Sequence, residues 1–248
     1  MVSKKNKNSN HIETWYEILG YEKNPLSIKP NNRNELIGYE KIIQRIIYQC
    51  KIGNVIFLEG SFGTGKSSIL KLIYNQFRQE TSSLYFNYAK NYNLKKGIMY
   101  RRSTIRKIFF MKPKKMVVFI DEANIANKKD FDFLYEFYIM DRIKSIVFAG
   151  TDFKTVPFNK AFKSDTKIYK MDKIRDSLAK EILDSRMPEQ TMISPAMAKK
   201  IFLNSDENPR QYLENLEDIL KKAILSGKKK VIRNDVETFF GRYKKRIR

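Results

Sequence analysis

The sequence is poor in several residue types, and each scarcity narrows what the chain can do. Its 248 residues include one histidine, His11, and one cysteine, Cys50. A single cysteine forms no disulfide within the chain, and such sparse use suits a reducing compartment, so we expect a cytoplasmic location. With His11 as the single histidine, metal sites that need histidine pairs are excluded, and we expect no histidine-based triad chemistry.

Long apolar runs are also missing. The longest, such as Met116–Ile120 and Ile146–Ala149, are far too short to span a bilayer. No apolar segment of a signal peptide follows the basic start Met1–Asn10, so we expect no membrane partner. The hydrophobic content of 42% is nevertheless enough to build a core, which excludes a largely disordered chain.

Acidic residues are scarce relative to basic ones. The chain has 49 Lys and Arg against 27 Asp and Glu, a formal net charge of +22. A field this positive attracts polyanions and makes their binding sensitive to salt. The alternative is a lysine-rich composition spread evenly over the surface. The two interpretations differ in whether the basic residues cluster.

Glycines are few, yet three of the ten fall within one short segment. Gly60–Ser67 reads Gly-Ser-Phe-Gly-Thr-Gly-Lys-Ser and matches the phosphate-binding pattern G-x-x-x-x-G-K-[ST] in full. An apolar strand at Val55–Leu58 precedes the segment, and an apolar helix begins at Lys66. This strand–loop–helix context is the one that the pattern requires to hold nucleotide phosphates.

Each residue type of the loop has a physical role. Glycines let backbone N–H groups face the phosphates, and the helix N-terminus adds its positive dipole end. Lys66 can reach the β- and γ-phosphates, and the Ser67 hydroxyl can ligate Mg²⁺. We therefore predict ATP and Mg²⁺ as cofactors, with the phosphates held by Gly60, Ser61, Phe62, Gly63, Thr64, Gly65, Lys66, Ser67 and Ser68.

Two acidic residues directly follow a second apolar run. Met116–Ile120 has the continuous apolar character of a strand buried on both faces, and Asp121 and Glu122 follow it. In this position Asp121 would hold the magnesium together with Ser67, and Glu122 would polarise the attacking water as a general base. The pattern predicts hydrolysis as well as binding of ATP.

Strands and helices alternate up to about residue 171, and helices alone follow. Alternation of this kind predicts an α/β fold with a mainly parallel sheet. Apolar residues at helical spacing occur from Glu35 to Cys50, and a helix is predicted at Phe131–Ile143. The later helices are predicted at Asp172–Ser185, Pro195–Leu203, Pro209–Ser226 and Asp235–Tyr243, with Ser194 capping the second and a box-like Asn234–Glu237 pair at the last. We divide the chain into a lead-in (1–34), a P-loop core (35–171) and a small all-helical lid with a basic tail (172–248).

These motifs together resemble those of the AAA+ ATPases. Within that group the chain looks like the origin-recognition/Cdc6-like initiators and the transposition ATPases of the TnsC/MuB type. The resemblance covers about Glu35 to Ser226 and implies a three-layer P-loop fold with a parallel central sheet and a helical lid. Asn34–Glu40 is similar to the family's segment that encloses the adenine, which implies a base contact at Ile37.

The resemblance also implies roles for two polar residues. Ser145–Thr151 resembles the family's sensor-1 strand, where Thr151 would help to place the attacking water, although family members often have asparagine there. Asn208-Pro209-Arg210 resembles the sensor-2 signature, in which Arg210 reaches the γ-phosphate from the lid. A cation in the first turn of a helix opposes the helix dipole, so an anionic partner for Arg210 is also expected on physical grounds.

One departure from the family concerns the arginine that a neighbouring subunit usually supplies. Ile143–Ile174 contains no arginine. Lys160, Lys163 or Lys167 could stand in, but a lysine lacks the fork geometry of arginine. Arg142 or Arg186 could serve from another position. The sequence leaves this choice open.

Basic residues do cluster. Ten lie in Lys90–Lys115, and no acid occurs between Glu80 and Asp121. Relatives of the initiator type carry an insertion here that touches DNA. We therefore predict non-specific contacts with the phosphates of duplex DNA, made by Lys95, Lys96, Arg101, Arg102, Arg106 and Lys107.

The sequence thus predicts an ATP-driven DNA-binding protein that forms homo-oligomers on DNA with ATP at subunit interfaces. Such a protein would regulate assembly or recruit a protein partner in transposition or replication. Two alternatives stay open. One is a STAND-like signalling or defence NTPase with little affinity for DNA, and the other is an adaptor that binds nucleotide without hydrolysing it.

Overall fold

The centre of the fold is one sheet of five parallel strands. In the computed structural model these are β1 (Val55–Glu59), β2 (Ser83–Asn87), β3 (Met116–Asp121), β4 (Ile143–Gly150) and β5 (Thr166–Lys170). Their order across the sheet is β2-β3-β4-β1-β5. The structure describes residues 13–29, 36–80, 82–90, 93–99 and 115–246.

Side chains of the central strands alternate between two cores. Ile56 and Leu58 of β1 face one core, whereas Val55 and Phe57 face the other. This alternation follows from the two-residue period of a strand, and burial on both sides explains why the central strands are continuously apolar. The predicted α/β fold with a parallel sheet is therefore confirmed.

Helices cover both faces of the sheet. Buried residues of α2 (Glu40–Ile52) and α3 (Lys66–Glu80) share one core with Ile56 and Leu58. Buried residues of α4 (94–99) and α5 (Lys128–Ile139) belong to the opposite core. Two short helices are α1 (Trp15–Ile18) and α6 (Lys160–Asp165). The result is a three-layer arrangement of helices, sheet and helices.

The chain after β5 is helical, as predicted. It contains α7 (Ala179–Asp184), α8 (Pro195–Asn204), α9 (Pro209–Leu225) and α10 (Arg233–Arg246). The Ser194 side chain accepts a hydrogen bond from the backbone N–H of Met197 and caps α8, as expected. The predicted domain boundary at residue 172 stays a prediction. No helix in the described part of the chain is both long and apolar enough to cross a membrane.

Several predicted element boundaries were wrong. The helix expected at Phe131–Ile143 is Lys128–Ile139, because the Asn127 side chain caps it earlier and Asp141, at φ +56°, turns the chain into β4. Helical spacing from Glu35 to Cys50 corresponds to a helix that begins only at Glu40.

Two corrections concern the lid. Most of the helix predicted at Asp172–Ser185 is instead a loop and a 3₁₀ turn (Asp176–Leu178), with α7 limited to Ala179–Asp184. The predicted capping pair Asn234–Glu237 is also wrong. The last helix begins at Arg233, and the Asp235 carboxylate accepts the N–H of Ile232 at 3.0 Å.

Candidate nucleotide-binding site

The carboxyl ends of the strands bring distant residues to one edge of the sheet. Asn87 at the end of β2 is in register with Asp121 at the end of β3, and Glu59 is in register with Gly150. A cleft of about 400 Å³ opens at this edge, between the loop after β1 and the lid. Ligands of parallel α/β sheets bind in this location.

The glycine-rich loop holds its own lysine. Lys66 Nζ donates hydrogen bonds to the carbonyl oxygens of Gly60 and Ser61, each at 2.8 Å. Burial lowers the pKa of the Lys66 ammonium, and the nearby carboxylates of Glu122 and Asp121 oppose that shift. The ammonium is thus positioned inside the loop, where phosphate oxygens can replace the two carbonyls as acceptors.

Asp121 is buried and accepts hydrogen bonds at both carboxylate oxygens. Ser67 Oγ and the backbone N–H of Glu122 donate to Oδ1, each at 3.1 Å. The Tyr85 hydroxyl donates to Oδ2 at 2.7 Å, and Asn87 Nδ2 donates to the same oxygen at 3.1 Å. Burial and the charge of Asp121 raise the pKa of Tyr85, which keeps this hydroxyl protonated as a donor.

Ser67 and Asp121 fit a magnesium ion. Their oxygens lie 3.1 Å apart, and hydroxyl and carboxylate oxygens are the ligands that Mg²⁺ takes beside nucleotide phosphates. No cluster of three or more His, Cys, Asp or Glu side chains occurs in the described ranges. A site with few protein ligands is typical of magnesium that substrate phosphates complete.

Glu122 lines the cleft in an unusual backbone conformation. Its φ of +58° and ψ of +45° lie in the left-handed region, which non-glycine residues rarely adopt. Such strain is typical of residues that a site holds in one orientation. The half-buried carboxylate is near enough to Lys66 to oppose the lowering of its pKa.

Thr151 contacts a residue that the motifs did not reveal. Its backbone N–H and its hydroxyl donate to Asn124 Oδ1, at 2.6 and 3.2 Å. Asn124 Nδ2 in turn donates to the Asp152 carbonyl and to Thr155 Oγ1, both at 2.7 Å. A Cβ at Gly150 would lie 2.4 Å from Asn124 Oδ1, so the end of β4 requires glycine. Thr151 is not among the described residues that line the cleft.

The lid contacts the phosphate loop through Asn208 and Arg210. Asn208 Nδ2 donates to the Phe62 carbonyl at 2.8 Å, while its Oδ1 caps α9 by accepting the N–H groups of Arg210 and Gln211. The Arg210 guanidinium lies 4.8 Å from the centre of the Phe62 ring, and its Nε pairs with Glu214 at 3.1 Å. Arg210 lines the cleft from the lid side, as the sequence predicted.

The far end of the cleft is apolar. Ile37, the predicted base contact, is buried and lines it. Side chains from the lead-in, the segment before α2 and the lid complete this end, namely Ile28, Leu36, Tyr39, Ile174, Ile182 and Leu213. A flat aromatic base is the part of a nucleotide that such a surface accepts.

Arg186 also lies at the apolar end. Its Nη1 donates to the carbonyls of Ser27 at 3.0 Å and Pro25 at 3.4 Å, and burial lowers its pKa. It lines the cleft of its own chain. In this arrangement Arg186 is engaged in holding the lead-in, and sequence reasoning did not assign it that role.

The predicted DNA contacts are only partly within the described chain. Lys95 and Lys96 are exposed on α4, and Lys95 Nζ lies 5.5 Å from the centre of the Phe133 ring. Arg101, Arg102, Arg106 and Lys107 lie outside the described residues.

Comparisons with known proteins were made by sequence and by structure. A scan against protein-family models finds no match, and a search of curated proteins finds no similar sequence. Solved structures do match. The Thermotoga maritima RuvB Holliday junction branch migration motor has a TM-score of 0.61 at 17% identity, with 84% of this chain and 69% of that chain covered.

Two further structures are similar. Domain III of the Thermotoga maritima replication initiation protein DnaA gives a TM-score of 0.60 at 17% identity, over 84% of this chain and 93% of that domain. Drosophila ORC bound to DNA gives 0.61 at 12% identity, over 96% and 70%. The chain has the AAA+ P-loop fold. It spans about two thirds of the length of the RuvB chains that it matches.

Proposed function

We propose that the chain binds ATP with Mg²⁺ in this cleft and hydrolyses it to control a DNA-bound homo-oligomer. One observation carries the proposal. Lys66, Ser67, Asp121 and Glu122 converge on one edge of the AAA+ sheet, beneath a lid that contributes Arg210. Each of these side chains has a role in phosphoryl transfer that its position permits.

The phosphate end of the cleft supplies the chemistry. Lys66 Nζ exchanges the Gly60 and Ser61 carbonyls for phosphate oxygens. Ser67 and Asp121 would hold magnesium, which would supply neutralisation of charge on the phosphates. Glu122 accepts a proton from the attacking water. Thr151, which Asn124 holds at the end of β4, would help to place that water, although its side chain does not line the cleft in this structure.

The lid end supplies the response to nucleotide. Arg210 exchanges Glu214 for the γ-phosphate as its anionic partner. The negative charge of the phosphate offsets the unfavourable interaction of the Arg210 cation with the dipole of α9. The apolar end, with Ile37, holds the adenine. Because Arg186 is engaged with its own lead-in, the remaining candidates for a contribution in trans, among the cations that the sequence offers, are Arg142, Lys160, Lys163 and Lys167.

Binding of duplex DNA without sequence preference is supported by the net charge of +22 and by exposed lysines such as Lys95 and Lys96. Two of the similar structures are a Holliday junction branch migration motor and ORC bound to DNA, which also supports the proposal. The role in transposition or replication is part of this proposal. A STAND-like switch would lack strong, salt-dependent binding to DNA.

The exchange Glu122→Gln tests hydrolysis separately from binding. We expect the variant to bind a non-hydrolysable ATP analogue as the wild type does, and to lose turnover by about 10²- to 10⁴-fold. Glu136→Gln, which neutralises an exposed carboxylate on α5, is the matched control and should retain turnover. Wild-type protein that binds the analogue but releases no phosphate would be a non-hydrolysing adaptor.

A further inference from the structure

Two segments on either side of β3 in the sequence pack together next to the cleft. The Tyr88 hydroxyl donates to the Asp130 carboxylate at 3.1 Å, which joins the 3₁₀ turn after β2 to the first turn of α5. Leu94 and Ile98 of α4 are buried in the same core as Phe131 of α5. A Cβ at Gly97 would lie 2.7 Å from the Phe86 ring, so α4 approaches the sheet closely.

This packing places α4, the 3₁₀ turn after β2 and the first turn of α5 next to one another, and these three segments carry five lysines. Lys95 Nζ lies over the Phe133 ring, and Phe133 is four residues after Lys129, so it shares a face of α5 with that lysine. Lys90 ends the 3₁₀ turn that Tyr88 anchors to α5. We call the set the lysine face, and all its members are exposed: Lys90, Lys95, Lys96, Lys128 and Lys129.

The carboxylates next to this face are hydrogen-bonded to neutral groups and form no ion pair with its lysines. None of its five lysines forms an ion pair with another described residue. Asp130 is engaged by Tyr88 and by Asn127 Nδ2, the latter at 2.7 Å. Asp132 accepts from Asn159 Nδ2 at 3.1 Å. In the lid, by contrast, lysines such as Lys200 are paired with carboxylates.

The lysine face begins at the wall of the nucleotide cleft. Lys90 itself lines the cleft. Asn87, which donates to Asp121, is followed directly by Tyr88, which donates to Asp130. The adjacent residues Asn87 and Tyr88 therefore connect the Asp121 carboxylate, which would hold magnesium, to the Tyr88–Asp130 contact that positions the lysines.

We propose that the lysine face binds the phosphate backbone of duplex DNA, and that Asn87 and Tyr88 couple it to nucleotide state. This inference rests on the proposed function and adds Lys128 and Lys129 to the DNA contacts. Duplex DNA presents one charge per about 1.7 Å of axis, and dispersed ammonium groups match it without reading bases. In the sequence, α4 is followed by further basic residues after residue 99.

The test removes the two charges on α5. Binding of a labelled duplex of mixed sequence is measured by fluorescence anisotropy over a range of salt, with a non-hydrolysable ATP analogue present. For Lys128→Gln/Lys129→Gln we expect affinity to fall by roughly tenfold or more at low salt. The slope of log K against log salt should decrease by about two.

The control removes the same charge elsewhere. Lys41→Gln/Lys51→Gln alters exposed lysines of α2, which covers the opposite face of the sheet. It should keep the wild-type slope, and both variants should keep the wild-type affinity for the analogue and melting temperature. An equal loss in both variants would mean that net charge alone matters, and would overturn the lysine face.

Three other results are decisive. If Lys128→Gln/Lys129→Gln binds duplex DNA with the affinity of the wild type, the lysine face is overturned and the proposed function stands. A wild-type protein without salt-dependent DNA binding would remove both. Poly-glutamate can be compared with unlabelled duplex as a competitor at equal charge. If the two displace the labelled DNA equally well, the face binds an acidic protein and the DNA assignment is refuted.

Discussion

The two ends of the cleft are built in different ways. At the phosphate end, Lys66 contacts Gly60 and Ser61 within its own loop, and Asp121 is held by residues of the sheet. At the lid end, Asn208 reaches Phe62 across 146 residues of sequence. The first end is built within one loop and between neighbouring strands, whereas the second joins segments that are distant in the sequence.

The free energies of the contacts between the lid and the phosphate loop indicate which end of the cleft responds to nucleotide. The contact between lid and phosphate loop consists of one hydrogen bond, from Asn208 to Phe62, and one cation–π contact from Arg210. These contribute about 0.5–1.5 and about 0.5–1 kcal/mol respectively. Lid residues such as Ile182 and Leu183 also share the apolar core of Ile56 and Leu58, so a ligand can exchange these two contacts while the lid stays packed on the sheet. We therefore propose that the phosphate end binds the nucleotide and that the contacts of Asn208 and Arg210 respond to it.

The largest effect is expected at the phosphate end. Lys66→Ala removes a charged donor that no neighbouring residue replaces, so nucleotide affinity should fall by about a hundredfold or more. Isothermal titration with an ATP analogue measures this loss, and Lys41→Ala, an exposed lysine of α2, serves as the control. Retention of micromolar affinity by Lys66→Ala would contradict the assignment of the loop.

A smaller effect is expected where the two ends touch. Gly63 has φ +83°, and a Cβ there would lie 2.5 Å from Asn208 Oδ1. Gly63→Ala should therefore lower nucleotide affinity by about tenfold, through backbone strain and a displaced lid. Gly227→Ala is the matched control, because Gly227 has φ +69° and a Cβ there would meet nothing within 4 Å.

The Gly63 result can be traced to Asn208 by a double-mutant cycle. In the background Asn208→Ala, the added Cβ of Gly63→Ala no longer meets the amide, so part of the loss should be recovered. Strict additivity of the two changes would show that Gly63 acts only through its backbone conformation.

Asn208 combines two roles that substitutions can separate. Asn208→Ala removes the cap of α9 and the donor to Phe62, whereas Asn208→Ser keeps a capping oxygen and loses the donor. Both should weaken nucleotide binding by a few fold. Only Asn208→Ala should also lower the free energy of unfolding by about 1 kcal/mol, measured by thermal denaturation. Equal stabilities of the two variants would refute the capping role.

The smallest effect is a pH dependence of the phosphate end. Burial lowers the pKa of Lys66 in the free protein, and phosphates bind the charged ammonium. Affinity should therefore decline as rising pH approaches the ordinary pKa of lysine, and the decline should begin at lower pH than for an exposed lysine. Lys66→Arg, which keeps its charge, should show no such decline.

The same contrast explains what the sequence could predict. Lys66, Ser67, Asp121 and Glu122 were predicted because local spacing and the strand before each motif determine their positions. Tyr85, Asn87 and Asn124 were missed, because their contacts with Asp121 and Thr151 depend on strand order and register. Strand order is a tertiary property that no local pattern contains.

The lid was predicted in outline only. The Asn208-Pro209-Arg210 motif indicated an arginine at the nucleotide, but not that Phe62 and Glu214 would hold it. Arg186 was considered for a contact in trans, since nothing local shows that it meets the carbonyls of Pro25 and Ser27, more than 150 residues earlier. The helix expected over Asp172–Ser185 failed for a related reason, because Asp176 in the 3₁₀ turn pairs with Lys199 of α8, a tertiary contact that overrides local propensity.

The central claim is that nucleotide bound in the cleft controls the affinity of the protein for DNA. Its most direct test is the affinity of the wild-type protein for duplex DNA, measured over a range of salt with and without a non-hydrolysable ATP analogue. The account predicts tighter binding with the analogue and a salt slope that corresponds to several phosphate contacts. Equal, weak binding under the two conditions would contradict it.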